Sequence, residues 1–239
     1  MNYAENPYQS PTLGMAAQAD VEQRADFITK TYLHLAGAIV AFVALEAVLL
    51  NMPFTEQLVE TMIGGQFSWL IVLGAFMAVS WIANSWALSG ASIGKQYLGL
   101  CLYVVAEAVI FVPLLWMANS ISEDGNIIAT AAVTTLGLLC VLTAVVFLTR
   151  ADFSFLRSIL MFGGIAAIGL IVCGIVFGFA LGPIFTYAMI ALACGYILYS
   201  TSNVLHHYRI GQHVAASLAL FAAVALLFWY ILRLFMSRD

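Results

Sequence analysis

The sequence predicts an all-α integral membrane protein, built as a bundle of seven transmembrane helices. Of its 239 residues, 64% are hydrophobic and only 8% are charged, whereas a soluble domain carries roughly 25% charged residues. One block, residues 158–208, contains no Asp, Glu, Lys or Arg and is flanked by Arg157 and Arg209. Because a helix needs about 20 apolar residues to cross the hydrocarbon core, this block alone accounts for two membrane helices, separated at Gly182 and Pro183.

A polar segment, residues 1–30, precedes the first apolar stretch and is predicted to be a cytoplasmic tail. It lacks a basic start followed by a short apolar core, so we do not expect a cleavable signal peptide. Residues 31–239 are predicted to form one membrane domain. Its seven apolar segments are each long enough to span a bilayer and comprise about residues 31–50, 68–88, 96–118, 127–148, 158–181, 183–201 and 213–236.

The longest connection follows the first apolar segment and has an amphipathic pattern. The apolar residues Phe54, Leu58 and Met62 are spaced four apart, as on one face of a helix. The acidic residues Glu56 and Glu60 fall on another face. This pattern predicts a short helix lying in the membrane interface.

Glycines in the fifth segment predict a close helix contact. Gly174, Gly178 and Gly182 recur every four residues. Small residues on one face of a helix let another helix approach closely, so we expect these three to pack within the bundle.

The distribution of Lys and Arg predicts the orientation, because basic residues concentrate on the cytoplasmic side. With the N-terminus in the cytoplasm, that side receives Arg24, Lys30, Lys95, Arg150, Arg157 and Arg209. Arg233 and Arg238 would lie outside after seven crossings, whereas a re-entrant last segment would place all eight basic residues inside. Full crossing is favoured because Val214 to Leu232 contains no charged residue.

Ionisable residues within the apolar segments are the candidate functional residues, since such groups are costly in a membrane. Glu107 lies about 11 residues into the third segment, or ~16 Å along a helix, which is near the bilayer midplane. Glu46 lies nearer the outer side, and His34 lies one turn into the first segment, where packing is the expected role. Glu107 is either a proton or cation site or a neutral side chain hydrogen-bonded to Tyr103.

No catalytic, cofactor-binding or metal-binding residue is predicted. The chain lacks a GxSG serine motif, an HExxH zinc motif, a glycine-rich phosphate loop and a lysine in the last span. The four cysteines lie singly in apolar segments, which favours packing over metal binding. The eight basic residues are scattered and form no nucleic-acid patch. We therefore expect that the protein is not an enzyme and that it contacts the lipid bilayer.

Four motifs stand in order along the chain: FITKTYLHLAG from Phe27, AEAVIFVPLL around Glu107, ADFSFLRS from Ala151 and GYILYSTSNVL from Gly195. Together they resemble the Bax-inhibitor family (the transmembrane Bax inhibitor motif group) over about residues 24–239. The resemblance implies a seven-helix fold with a cytoplasmic N-terminus. It also marks candidate signature contacts in the last motif, at Tyr199, Thr201 and Asn203. The TSN sequence there and the SRD ending are similar to the bacterial YccA-like branch, which implies a bacterial inner membrane.

Members of the resembled family that leak calcium use an acidic pair from the sixth and seventh spans, but this chain lacks that pair. Ser200 stands where the family commonly has Asp or Glu, and the seventh span has no acid. Calcium prefers several oxygen ligands, usually including carboxylates. The remaining candidate ion or proton path therefore consists of Glu107, Glu46 and Ser200.

Two functions follow from the resemblance. The YccA-like branch binds and restrains a membrane-anchored ATP-dependent (AAA) protease of the FtsH type, and the missing acidic pair favours this function. The alternative is a pH-sensitive calcium, cation or proton leak that uses Glu107. A transporter of organic solutes has no support beyond the seven spans.

Overall fold

The computed structural model describes residues 14–89, 92–121 and 126–237. The helices are α1 (Val21–Leu49), α2 (Thr55–Ile63), α3 (Ser68–Ala87), α4 (Ile93–Ile121), α5 (Asn126–Thr149), α6 (Leu156–Phe177), α7 (Pro183–His206) and α8 (His213–Met236). All except the short α2 are long and apolar enough to cross a bilayer. The predicted all-α fold with seven membrane helices is therefore confirmed.

Helix α8 occupies the middle of the bundle and packs against α1, α4, α5 and α7. In its most apolar 18-residue stretch, 78% of the residues are buried, against 11% in α3. Aromatic rings link α8 to its neighbours: the Tyr103 and Phe221 ring centroids lie 6.2 Å apart, and those of Phe111 and Trp229 lie 4.9 Å apart. Edge-to-face pairs of this kind stabilise packing beyond the area that they bury.

Contacts among helix ends show that six of the basic residues gather at one end of the bundle. The His34 ring of α1 lies 2.8 Å from the Tyr97 hydroxyl at the start of α4. Its centroid lies 4.9 Å from that of His213 at the start of α8. This end, which we call the basic end, carries Arg24, Lys30, Lys95, Arg150, Arg157 and Arg209.

The last helix runs from the basic end to the opposite end without a break. Its first residue, His213, contacts His34, and its Arg233 guanidinium donates a hydrogen bond of 3.4 Å to the Leu181 carbonyl, between α6 and α7. This geometry agrees with a full crossing and not with a re-entrant segment. Arg238 lies outside the described residues.

Several helix boundaries differ from the sequence prediction, and two of the differences have a clear local cause. Helix α1 begins at Val21, ten residues before the predicted apolar start, because its first turns are charged and include an ion pair between Lys30 and Asp26 at 2.7 Å. Helix α6 ends at Phe177, because Gly178 adopts a left-handed conformation with φ 71°. The predicted glycine face is therefore wrong: only Gly174 is helical, and glycine at Gly178 serves as a helix terminator.

The short helix predicted in the longest connection is present as α2, with a different buried face. Its buried residues are Thr55, Val59 and Met62, whereas Phe54 is half exposed. The helix begins after Phe54, so that side chain lies outside the helical register from which the face was predicted.

The segment before α1 is attached to the basic end. Residues Ala16–Gln18 form a 3₁₀ turn. The Ala16 amide donates a hydrogen bond of 2.9 Å to the Tyr208 carbonyl, and the Ile210 amide donates one of 3.1 Å to the Gly14 carbonyl. These bonds join the segment to the connection between α7 and α8. Residues 1–13 of the predicted tail lie outside the described residues.

Candidate functional site

Glu107 lies inside the bundle. Its side chain is 6% exposed on the buried face of α4. The Tyr103 hydroxyl, one turn earlier, interacts with the Glu107 carboxyl, and the Ser80 hydroxyl of α3 lies close to Tyr103. Tyr103 also packs against Phe76, with ring centroids 6.1 Å apart. Glu107 is thus the inner end of a short polar group within an aromatic core.

Glu46 is buried separately from Glu107. It is 5% exposed and continues the buried stripe of α1 after Phe42. Both of its carboxyl oxygens lack a hydrogen-bond partner among the described residues. The structure does not bring Glu46 and Glu107 into interaction. A path that uses both residues would need a further group or a change of conformation between them.

Ser200 and the adjacent signature residues of α7 face different surroundings. Ser200 is 6% exposed and Thr201 is fully buried. Tyr199 and Asn203, four residues apart and hence on one helix face, line a cavity of about 300 Å³ at the basic end. The signature is therefore not a single contact surface, because Thr201 points into the bundle.

Thr201 belongs to a cluster of hydroxyls that the sequence did not reveal. Its hydroxyl and that of Thr143 on α5 lie near the Tyr32 hydroxyl on α1. None of the three buried oxygens has a partner with hydrogen-bond geometry among the described residues. Such groups are rare in folded proteins, where buried polar atoms usually have partners. Neutral hydroxyls far apart in the sequence carry no pattern that would predict this cluster.

A second polar group ties the α5–α6 connection to the end of α7. The Phe153 amide donates a hydrogen bond of 2.9 Å to Ser202 Oγ, and His207 Nε2 lies 3.2 Å from Asp152 Oδ1. A hydrogen bond from the Ser154 backbone N–H, together with His207, holds the pKa of Asp152 below its ordinary value. Asp152, Phe153 and Ser202 belong to two of the four sequence motifs, but the contact between these motifs was not predicted.

This group is not a catalytic triad. Asp152 contacts both Ser202, at 3.5 Å, and His207, whereas a nucleophilic serine requires the histidine beside it as a base. Across the described ranges, no cluster of three or more His, Cys, Asp or Glu residues could hold a metal ion.

A second cavity, of about 370 Å³, opens between α1 and α4 and has an apolar lining that includes Leu33, Leu45 and Val105. Neither Glu46 nor Glu107 lines this cavity or the one beside Tyr199. The lining is apolar except for His34 and Cys101, which suits lipid or detergent chains.

Comparison with known proteins identifies the family. The family described as "Inhibitor of apoptosis-promoting Bax1" matches residues 24–239. A "BI1-like protein" of Arabidopsis thaliana is 32% identical over 123 residues, which cover 48% of this chain and 47% of that protein. "Bax inhibitor 1" of Schizosaccharomyces pombe is 28% identical over 174 residues, covering 70% of this chain and 61% of that protein. The matches thus span about half to three-fifths of these relatives. Together with the seven membrane helices, the family match over nearly the whole chain shows that this protein belongs to the Bax-inhibitor family.

Proposed function

We propose that this protein is a regulatory membrane protein that acts by binding a membrane-anchored ATP-dependent protease of the FtsH type. The observation that carries the proposal is the absence of the acidic pair: buried Ser200 replaces the acid of the sixth-span signature. A bundle without that pair lacks the charge change on which a proton-controlled calcium gate depends. The proposal includes the YccA-like branch, a bacterial inner membrane, a cytoplasmic N-terminus and no catalytic role.

The attached segment before α1 supports an N-terminal handle for the protease. Hydrogen bonds from Ala16 to Tyr208 and from Ile210 to Gly14 hold this segment against the basic end. In the proposed orientation, the chain that precedes Gly14 therefore starts from the cytoplasmic face, where a membrane-anchored protease has its ATP-dependent domain.

Deletion of residues 2–13 tests the handle, because it leaves the attached segment intact. The expected result is loss of co-purification with the protease from bacterial membranes and slower turnover of the deleted protein. A matched control replaces residues 2–13 with a Gly-Ser stretch of equal length, which separates the effect of length from that of sequence. Unchanged co-purification of the deleted chain would eliminate the handle. Failure of the full chain to co-purify or cross-link with the protease would overturn the proposed function itself.

The second candidate function is a proton or cation leak, for which the burial of Glu107 and Glu46 is the supporting observation. A buried carboxyl without a charged partner is unusual and often functional in a membrane. Liposomes loaded with pH-sensitive and calcium-sensitive dyes test the leak directly. Glu107→Gln should abolish it, whereas Glu60→Gln, at an exposed position on α2, should leave it unchanged. A parent protein that does not leak, or a Glu107→Gln variant that leaks equally, would contradict this assignment.

A further inference from the structure

The cavity at the basic end is lined only by residues that can donate hydrogen bonds. It measures about 300 Å³ and lies between the start of α6 and the end of α7, with Ser154, Arg157, Tyr199, Asn203, His207 and Tyr208 as its lining residues. Each has an N–H or O–H group in its side chain, and none is an acid. Burial, with Tyr199 nearby, raises the pKa of Tyr208 to about 12, so this phenol retains its proton at neutral pH. The lining therefore has the chemistry of a site for an oxyanion.

Arg157 brings a permanent positive charge to this cavity, and no acidic side chain among the described residues pairs with it. The ion pairs in the described ranges are Lys30 with Asp26 and His207 with Asp152, so Arg157 has no acidic partner there. Asp152 lies outside the lining, and its carboxylate is already bound by His207 and by the Ser154 backbone N–H, at 2.9 Å. The Arg157 guanidinium is thus available for an external anion.

Hydrogen bonds hold both walls of the cavity in place before any ligand binds. On the α6 side, the Arg157 amide donates to the Ser154 carbonyl at 3.0 Å, and Phe153 is fixed to Ser202 of α7. On the α7 side, the amides of His207 and Tyr208 donate to the Asn203 carbonyl at 2.9 and 3.0 Å. A site that is already ordered loses less entropy on binding.

We propose that this cavity binds a phosphate group, carried either by the headgroup of an anionic membrane lipid or by a free phosphate. An arginine presents paired N–H groups that match two phosphate oxygens, and the side chains of Ser154, Tyr199, Asn203 and Tyr208 supply further donors. The cavity lies where α6 begins and α7 ends, which is the level of lipid headgroups for helices that span a bilayer. Basic pockets between membrane helices are established positions for anionic headgroups.

The test measures the thermal unfolding of the full chain in nanodiscs, since a ligand that binds the folded state raises the unfolding temperature. One arm compares nanodiscs of phosphatidylcholine alone with nanodiscs that also contain phosphatidylglycerol. The other arm titrates inorganic phosphate against chloride at matched ionic strength in phosphatidylcholine nanodiscs. A rise in the first arm alone identifies a lipid headgroup, and a rise in the second identifies free phosphate.

Arg157→Gln should weaken, by about tenfold or more, the binding of the lipid or phosphate that raised the unfolding temperature, because charged hydrogen bonds to phosphate are lost. Arg150→Gln is the matched control, since Arg150 is exposed in the connection just before α6 and does not line the cavity. If Arg157→Gln does not fold, Asn203→Asp places a carboxylate in the cavity and should likewise abolish the rise. Equal effects of Arg157→Gln and Arg150→Gln, an undiminished rise in Asn203→Asp, or no rise in either arm for the parent would overturn the proposal.

Discussion

Gly99→Ala should separate α3 from α4, because Gly99 lies where the backbones of the two helices are close together. A Cβ atom at Gly99 would lie 2.5 Å from the Ala83 carbonyl oxygen, 2.7 Å from the Ala87 nitrogen and 3.1 Å from Trp86 Cβ. Two of these are backbone atoms, which cannot rotate away, so one helix must shift. Forcing an extra methyl group into a packed interior costs about 1–3 kcal/mol.

Gly74→Ala on α3 is the matched control, because a Cβ there meets nothing within 4 Å. Both substitutions gain about 1 kcal/mol from the higher helix propensity of Ala, so their difference isolates the packing cost. Gly99→Ala should therefore be about 1–3 kcal/mol less stable than Gly74→Ala. The assay is unfolding in mixed micelles with increasing denaturing detergent, followed by tryptophan fluorescence. If the two variants unfold at the same detergent fraction, the close approach of α3 and α4 is refuted.

Three other substitutions test the buried and interfacial polar groups in the same assay. Thr201→Val should be at least as stable as the parent, because the Thr201 hydroxyl lacks a hydrogen-bond partner. Thr135→Val should lose about 1 kcal/mol, because it removes the 2.7 Å hydrogen bond from the Thr135 hydroxyl to the Ala131 carbonyl. Equal losses in the two variants would show that the Thr201 hydroxyl is bonded. Glu46→Leu should gain about 1–3 kcal/mol by removing a buried carboxyl without partners, and a loss would mean that an ion or water satisfies it. Asp152→Asn should cost less than ~1 kcal/mol because its pair with His207 is exposed. The pKa of Asp152 is lowered from 3.8 in the folded protein. The contribution of Asp152 to the free energy of unfolding should therefore be complete above pH 3.8 and be lost as the pH falls through the folded-state pKa. A destabilisation by Asp152→Asn that persists in strong acid would contradict this.

Composition and segment length predict the membrane helices well, because the hydrocarbon core requires long apolar stretches whatever the tertiary packing. Composition and segment length predict the positions of helix ends less well. The start of α1 at Val21 was missed because charged residues can be helical outside the hydrocarbon. The end of α6 was missed because Gly178 fits both a helix face and a left-handed terminator, and only the backbone conformation decides between them.

The sequence predicted contacts of the candidate site that lie within one helix, but not contacts between different helices. The contact of Glu107 with Tyr103 follows from their spacing of one helical turn in a single segment. The hydroxyl cluster around Thr201 and the tie between Ser202 and Phe153 join distant segments. Such contacts depend on how helices rotate against one another, which periodicity within a single segment does not report.

The central position of α8 has a consequence for biosynthesis. Helices enter the bilayer in chain order as they are synthesised, and α8 is the last of the seven. Until it arrives, α1, α4, α5 and α7 lack the neighbour that covers their inner faces, including Tyr103 beside Glu107. The nascent protein must therefore pass through a stage in which those inner faces are open to lipid or to the insertion machinery. A defect confined to α8 would leave six inserted helices without the neighbour that covers the inner faces of α1, α4, α5 and α7.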